Sequence, residues 1–290
     1  MRSFYLILLI VSIFVTQGCE KEITVDLPPG RKSLVVEASI NPLFTNLNYV
    51  YITRTLDYFN PDLSSNGVKD ALVYITPGTI VGFDTLYDQA NRIQLFDIQT
   101  IPGVDSLLGG LSGIYFNPAL QPEVGVPYLL EITAEGQEIT GTTFIPKPVA
   151  FDTLYYRVEF DEADKDTDVF VTFEFTDPPE QNNYRLLGYV GQDALILGWG
   201  AANFSREFDD QLIGNGRRPY SFFSPFDYGD TLHLFLNNIG RKEYLFWESY
   251  DEAAGNGGPF ATPIEVRSNI TGAIGSFTGY GTSYFSIILR

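Results

Sequence analysis

The side chains with the strongest chemistry are scarce in this chain, and their scarcity bounds what it can do. His233 is the only histidine and Cys19 the only cysteine among 290 residues. A site that needs two imidazoles, or a thiolate cage for zinc, cannot be built from them. His233 lies in Thr231-Leu232-His233-Leu234, where alternation with leucines reads as a strand with the histidine on its less buried face. A Ser-His-Asp triad would need a nucleophile turn of the G-x-S-x-G kind, and the chain has none. Asp164, Asp166 and Asp168 have the spacing that opens a calcium loop. The position that should be glycine is Val169, however, and the twelfth, which should be glutamate, is Phe175. Both belong to a following strand, so the acidic run reads as a solvated hairpin loop, with calcium the weaker alternative.

Two further patterns invite chemistry. The glycines between Gly272 and Gly281 resemble a phosphate loop but lack the Lys-Ser/Thr ending and a helix after it. They read as a tight path between strands. Tyr220, Phe222, Phe223, Phe226 and Tyr228 gather around Pro225. Such rings either anchor a ligand or partner or fill the space between sandwich layers. Carboxylates are too abundant for a hydrolytic pair to be picked out; a hydrolase would need a buried, facing pair in a cleft.

The elements that must position these residues are strands. Leu34 to Ile40, Tyr49 to Thr55, Ala71 to Thr76, Arg92 to Phe96 and Gly113 to Phe116 are rich in β-branched and aromatic residues. Tyr128 to Ala134 alternates, turns at Glu135-Gly136 and returns through Glu138 to Ile145. Pro146 and Pro148 mark a border. Beyond it, Leu154, Tyr156, Val158 and Phe160 alternate, then Val169, Val171, Phe173 and Phe175, as in a hairpin. Further strands fall near Arg185 to Val190, Thr231 to Leu236 and Ser283 to Leu289. One helix is expected near 238–254, with Ile239, Phe246, Trp247, Tyr250 and Ala254 on one face and Gly255 at its stop. The expected fold is mainly all-β: two antiparallel β-sandwich domains, immunoglobulin-like or transthyretin-like, the second carrying the helix. The expected segments are 1–18, 19–32, 33–146 and 147–290.

The first of these reads as a secretory signal. Met1-Arg2-Ser3 precedes an apolar run from Phe4 to Val15, and Thr16-Gln17-Gly18 leads to Cys19. The run is too short for a membrane-spanning helix. A lone cysteine directly after the cut is where lipoprotein processing attaches diacylglycerol and acyl chains, so Cys19 is the expected anchor and 19–32 a tether. No other cofactor is implied. With 36 acidic and 18 basic residues the net charge is −18, which repels nucleic acid. No cysteine remains to staple the body, so its core must hold it, and 44% hydrophobic residues supply the material.

Several short motifs, in order, carry a family resemblance. They are Cys19 followed by Leu34-Val35-Val36-Glu37; Val68-Lys69-Asp70-Ala71-Leu72-Val73; Gly113-Ile114-Tyr115; Gly125-Val126-Pro127-Tyr128; Thr143-Phe144-Ile145-Pro146; and Pro263 to Gly272 with Gly275 and Phe277. The chain resembles the Bacteroidota outer-membrane lipoproteins grouped as domain of unknown function 4249, encoded beside TonB-dependent receptors. It departs from them at Ala273, where the family usually has a second glycine. The resemblance implies no catalytic residue. It implies a lipid-anchored outer-membrane protein facing the cell surface, the partner or substrate-capturing subunit of a TonB-dependent transporter. An independent adhesion or glycan-binding lipoprotein, using Tyr220 to Tyr228, is the alternative, and a hydrolase the remoter one.

Overall fold

The structure is a computed structural model and describes residues 32–56, 66–100, 112–161, 166–191, 202, 204–209, 216–223, 226–256, 262 and 264–290. Cys19 and Asp164 lie outside the described residues. The chain is mainly β, as its alternating patterns predict.

Up to the proline border run β1 (Leu34–Ile40), β2 (Tyr49–Arg54), β3 (Leu72–Val81), β4 (Asp84–Tyr87), β5 (Ile93–Asp97), β6 (Ile114–Phe116), β7 (Pro127–Ala134) and β8 (Gln137–Phe144). Successive side chains of a strand point to opposite faces. Val36, Ala38 and Ile40 of β1 and Leu130, Ile132 and Ala134 of β7 therefore enter one core. After the border come β9 (Phe151–Asp161), β10 (Asp166–Asp177), β11 (Asn183–Val190), β12 (Phe204–Asp209), β13 (Gly216–Phe223) and β14 (Thr231–Ile239). Helix α1 (Arg241–Gly255) follows, then β15 (Ile270–Thr271), β16 (Ile274–Gly279) and β17 (Gly281–Ile288).

The first sheet has the order β15-β8-β7-β3-β5-β6-β2-β1-β16, with β4 attached to β3. Its ends meet. The Asn269 amide donates to the Phe277 carbonyl at 2.9 Å and accepts from the Phe277 N–H at 2.8 Å. The Gly279 N–H donates to Thr143 Oγ1 on β8 at 2.9 Å. Strand β16 lies parallel to β1, from Val35↔Ile274 to Ile40↔Gly279, and Phe277 and Ile270 are buried in the same core as Val36, Ile52 and Leu130. Residues from beyond Pro146 thus complete the sheet formed by the 33–146 half.

Gly275 makes that close approach possible. Its φ is +141°, and a Cβ there would lie 1.8 Å from the Val36 carbonyl oxygen. Gly275→Ala should therefore force β16 away from β1 and destabilise the chain by about 1–3 kcal/mol. Urea denaturation checks this; an unchanged midpoint would refute the close approach.

In the second half, β13-β10-β9 and β12-β11-β14-β17 form two sheets. Val169, Val171, Phe173 and Phe175 of β10 meet Tyr184 and Leu186 of β11 and Leu232, Leu234 and Leu236 of β14 in a second core. The two layers make a sandwich. Helix α1 begins at Arg241 because Asn237, Asn238 and Ile239 are still paired in β14, with Asn183 opposite Ile239. Glu243 folds back over Gly240, where a Cβ would meet its Oε2 at 2.2 Å, and accepts a 2.8 Å hydrogen bond from Thr143 Oγ1. The buried face holds Tyr244, Phe246 and Trp247, while Tyr250 and Ala254 of the expected face are exposed.

Candidate functional site

Strand parity creates a cleft at the seam between the first sheet and the sandwich. The even-numbered Tyr184 and Leu186 of β11 and Leu232, Leu234 and Leu236 of β14 fill the sandwich core, so their odd-numbered neighbours face the other way. Arg185, Leu187 and Tyr189 of β11 and Phe235 and Asn237 of β14 line the cleft from that side. On β1, Val36 and Ala38 face the first core, and Glu37 and Ser39 line the cleft with Tyr49 of β2. Trp247, Tyr250 and Asp251 of α1 and Tyr280, between β16 and β17, complete it. Its volume is about 260 Å³.

The floor is a network of polar groups. Asn41 Nδ2 donates to Thr282 Oγ1 at 2.8 Å, and that hydroxyl donates to Asn237 Oδ1 at 2.6 Å. Asn237 Nδ2 donates to the Arg185 carbonyl at 3.0 Å. The Arg185 guanidinium lies 3.2 Å from the centroid of the Trp247 ring, donates from Nη1 to the Tyr280 hydroxyl at 3.0 Å, and places Nε 2.9 Å from Glu207 Oε1. That last contact is close but is not an aligned hydrogen bond. Burial at this depth would expel an unpaired charge, so the ring, the hydroxyl and the carboxyl are what keep a guanidinium here.

Glu207 stands behind the cleft wall. Burial, then its hydrogen bond with Asp251, push its pKa up to about 8 against the pull of Arg185. It keeps its proton at neutral pH. Asp251 also accepts from Ser205 Oγ at 3.3 Å. Across the cleft, Tyr49 donates to Glu37 Oε1 at 2.6 Å. Burial raises the Tyr49, Tyr189 and Tyr280 phenols, and the Glu37 charge raises them further, so all three remain hydroxyls. The cleft thus offers aromatic walls, carboxylates at its edge and one largely buried cation beneath.

The residues expected to bind from the Tyr220–Tyr228 segment are dispersed. Tyr220 stacks on Phe173 at 5.2 Å and Phe208 at 5.1 Å, and its hydroxyl accepts from Arg206 at 2.9 Å. Phe226 is buried in the second core. Tyr228 is exposed. Phe222 and Phe223 lie on β13 opposite Val171 and Phe170. Asp166 and Asp168 lie on β10 opposite Asp161 and Glu159, and no metal-binding group of three or more appears among the described residues.

His233, expected on a less buried face, is buried, because β14 is a central strand covered on both sides. Its Nε2 must donate to the Gly191 carbonyl at 3.0 Å, so Nδ1 accepts from the Tyr284 hydroxyl at 2.7 Å. Both ring nitrogens are committed to structure. The cleft residues themselves carry no local motif. The one trace of them is an arginine, Arg185, set among Tyr184, Leu186 and Leu187 in an otherwise apolar strand.

The sequence model of one family, described as Domain of unknown function (DUF4249), matches residues 20–285. A comparison with curated proteins finds no match.

Proposed function

We propose, on the premise that this chain belongs to the DUF4249 family, that it is an outer-membrane lipoprotein capturing a substrate for a TonB-dependent transporter. In this reading lipid on Cys19 anchors the body, which faces the cell surface. The observation that supports capture is the preformed cleft, with aromatic walls and polar groups already held in place. Turnover fits it less well. Glu207 and Asp251 are a close carboxyl pair, but they bond to each other and Glu207 does not line the cleft. Two-carboxylate glycoside hydrolysis needs the pair about 5 Å or more apart, across the scissile bond.

The test is native purification from outer membranes, beside a Cys19→Ala variant. A TonB-dependent receptor should co-purify with the wild-type chain. The variant should leave the membrane fraction, or stall with its signal attached, and keep the melting temperature of the body. An unmodified Cys19 in the mature protein would remove the anchor from this reading. Recovery of the chain without a receptor would favour the independent adhesion or glycan-binding protein instead.

A further inference from the structure

We propose that the cleft binds a neutral saccharide unit, held between its aromatic walls by Glu37, Tyr189, Asp251 and the remaining N–H groups of Arg185. The inference rests on the capture reading and gives the chemical class of what is captured.

The charges around the cleft select the ligand class. An anionic ligand would meet Glu37 and Asp251 at the cleft, within a chain of net charge −18. Its carboxylate or phosphate would also find one edge of the Arg185 guanidinium taken. Arg185 holds one Nη1 N–H against Tyr280 and turns its Nε edge to Glu207, so the side-on edge of the guanidinium is already occupied. A cationic ligand would meet Arg185, whose guanidinium already occupies the face of Trp247 where a second cation would seek a ring. A zwitterion suffers the first difficulty at its carboxylate end.

A neutral polyhydroxylated ring suffers neither. Its hydroxyls can donate to Glu37 and Asp251, and a hydroxyl or ring oxygen can accept from Arg185 Nη2, whose N–H groups have no partner among the described residues. The Tyr189 hydroxyl likewise has no hydrogen-bond partner among them. Hydroxyl-to-carboxylate bonds are of the stronger, charge-assisted kind. The C–H faces of a sugar ring suit the aromatic walls, Tyr189, Phe235 and Tyr250, of which Tyr250 is half exposed at the mouth. The cleft is slightly smaller than the roughly 300–1,000 Å³ of ordinary ligand pockets, so it suits one ring or the end of a chain.

Trp247 reports on the cleft. The chain has two tryptophans, and Trp199→Phe leaves Trp247 as the sole indole. The mature Trp199→Phe protein is titrated with glucose, galactose, N-acetylglucosamine and their disaccharides, and separately with glycine, alanine, choline and glucose 6-phosphate. Saturable fluorescence change is expected with at least one neutral sugar and not with the charged compounds. Glu37→Gln should weaken that binding about tenfold or more, Tyr189→Phe by a smaller factor, and Tyr228→Ala not at all. Preference for an amino acid, choline or the sugar phosphate overturns the ligand class, as does silence from every sugar. Sugar binding indifferent to both cleft variants overturns the site. Receptor co-purification is read independently, so a wrong ligand class leaves the capture reading standing.

Discussion

A chain reduced to residues 33–146 is expected not to fold by itself, and to fold once residues 264–281 are joined to it through a flexible linker. The proline border makes the shorter fragment look self-contained, but β1 would lose its parallel neighbour along six register positions, from Val35 to Ile40. The core would lose Phe277 and Ile270 together. Removing one buried phenylalanine side chain costs about 3–5 kcal/mol and one isoleucine about 2–5 kcal/mol. Their sum is comparable with the whole stability of an ordinary domain, about 5–15 kcal/mol. The carbonyls and N–H groups along β1 would also be left without partners on that side. Far-UV circular dichroism and amide NMR dispersion decide the matter. A 33–146 fragment with a cooperative urea transition as steep as that of the full chain would show that β16 is dispensable.

That the border misleads has a physical reason. A hairpin announces itself because both strands and their turn lie within a few residues. Leu154, Tyr156, Val158 and Phe160 alternate against Val169, Val171, Phe173 and Phe175, and Val158 does pair with Val169. The parallel pairing of β16 with β1 joins residues far apart in the chain, and at its closest point Gly275 has no side chain to reveal it. The cleft is hidden for the same reason. Arg185, Glu207, Asp251 and Tyr280 come from β11, β12, α1 and the β16–β17 junction. Each looks like an ordinary strand or helix residue, and only the assembled layers turn them into one network. The aromatic run at Tyr220–Tyr228 shows the converse. Its composition suits a binding surface or an inter-layer filling, and the packing of β13 against β10 commits Tyr220 to the filling.

The second large effect is a pH dependence that one substitution should remove. Glu207 has a pKa of about 8 in the folded chain against an ordinary value of 4.5, chiefly because burial disfavours its charge. Below pH 4.5 both folded and unfolded chains hold the proton, and the stabilisation is whole. Between pH 4.5 and 8 the unfolded chain releases it while the folded chain retains it. Stability therefore falls as pH rises through that window, by up to about 1.4 kcal/mol per unit, and the contribution is gone above the folded pKa. Glu243, also raised by burial, slopes the same way. The neighbouring charge of Arg185 opposes the shift without reversing it. Glu207→Gln keeps the shape and can still donate to Asp251, but it has nothing to ionise. The variant should match wild type near pH 5 and exceed it near pH 8 by on the order of 3 kcal/mol, keeping only the slope due to Glu243. Urea denaturation of both proteins at pH 5, 6.5 and 8 measures the difference directly. If that difference stays constant across the three values, Glu207 is ionised throughout and Arg185 is held by a charged partner. A difference that grows with pH means that a neutral carboxylic acid supports the guanidinium under the cleft.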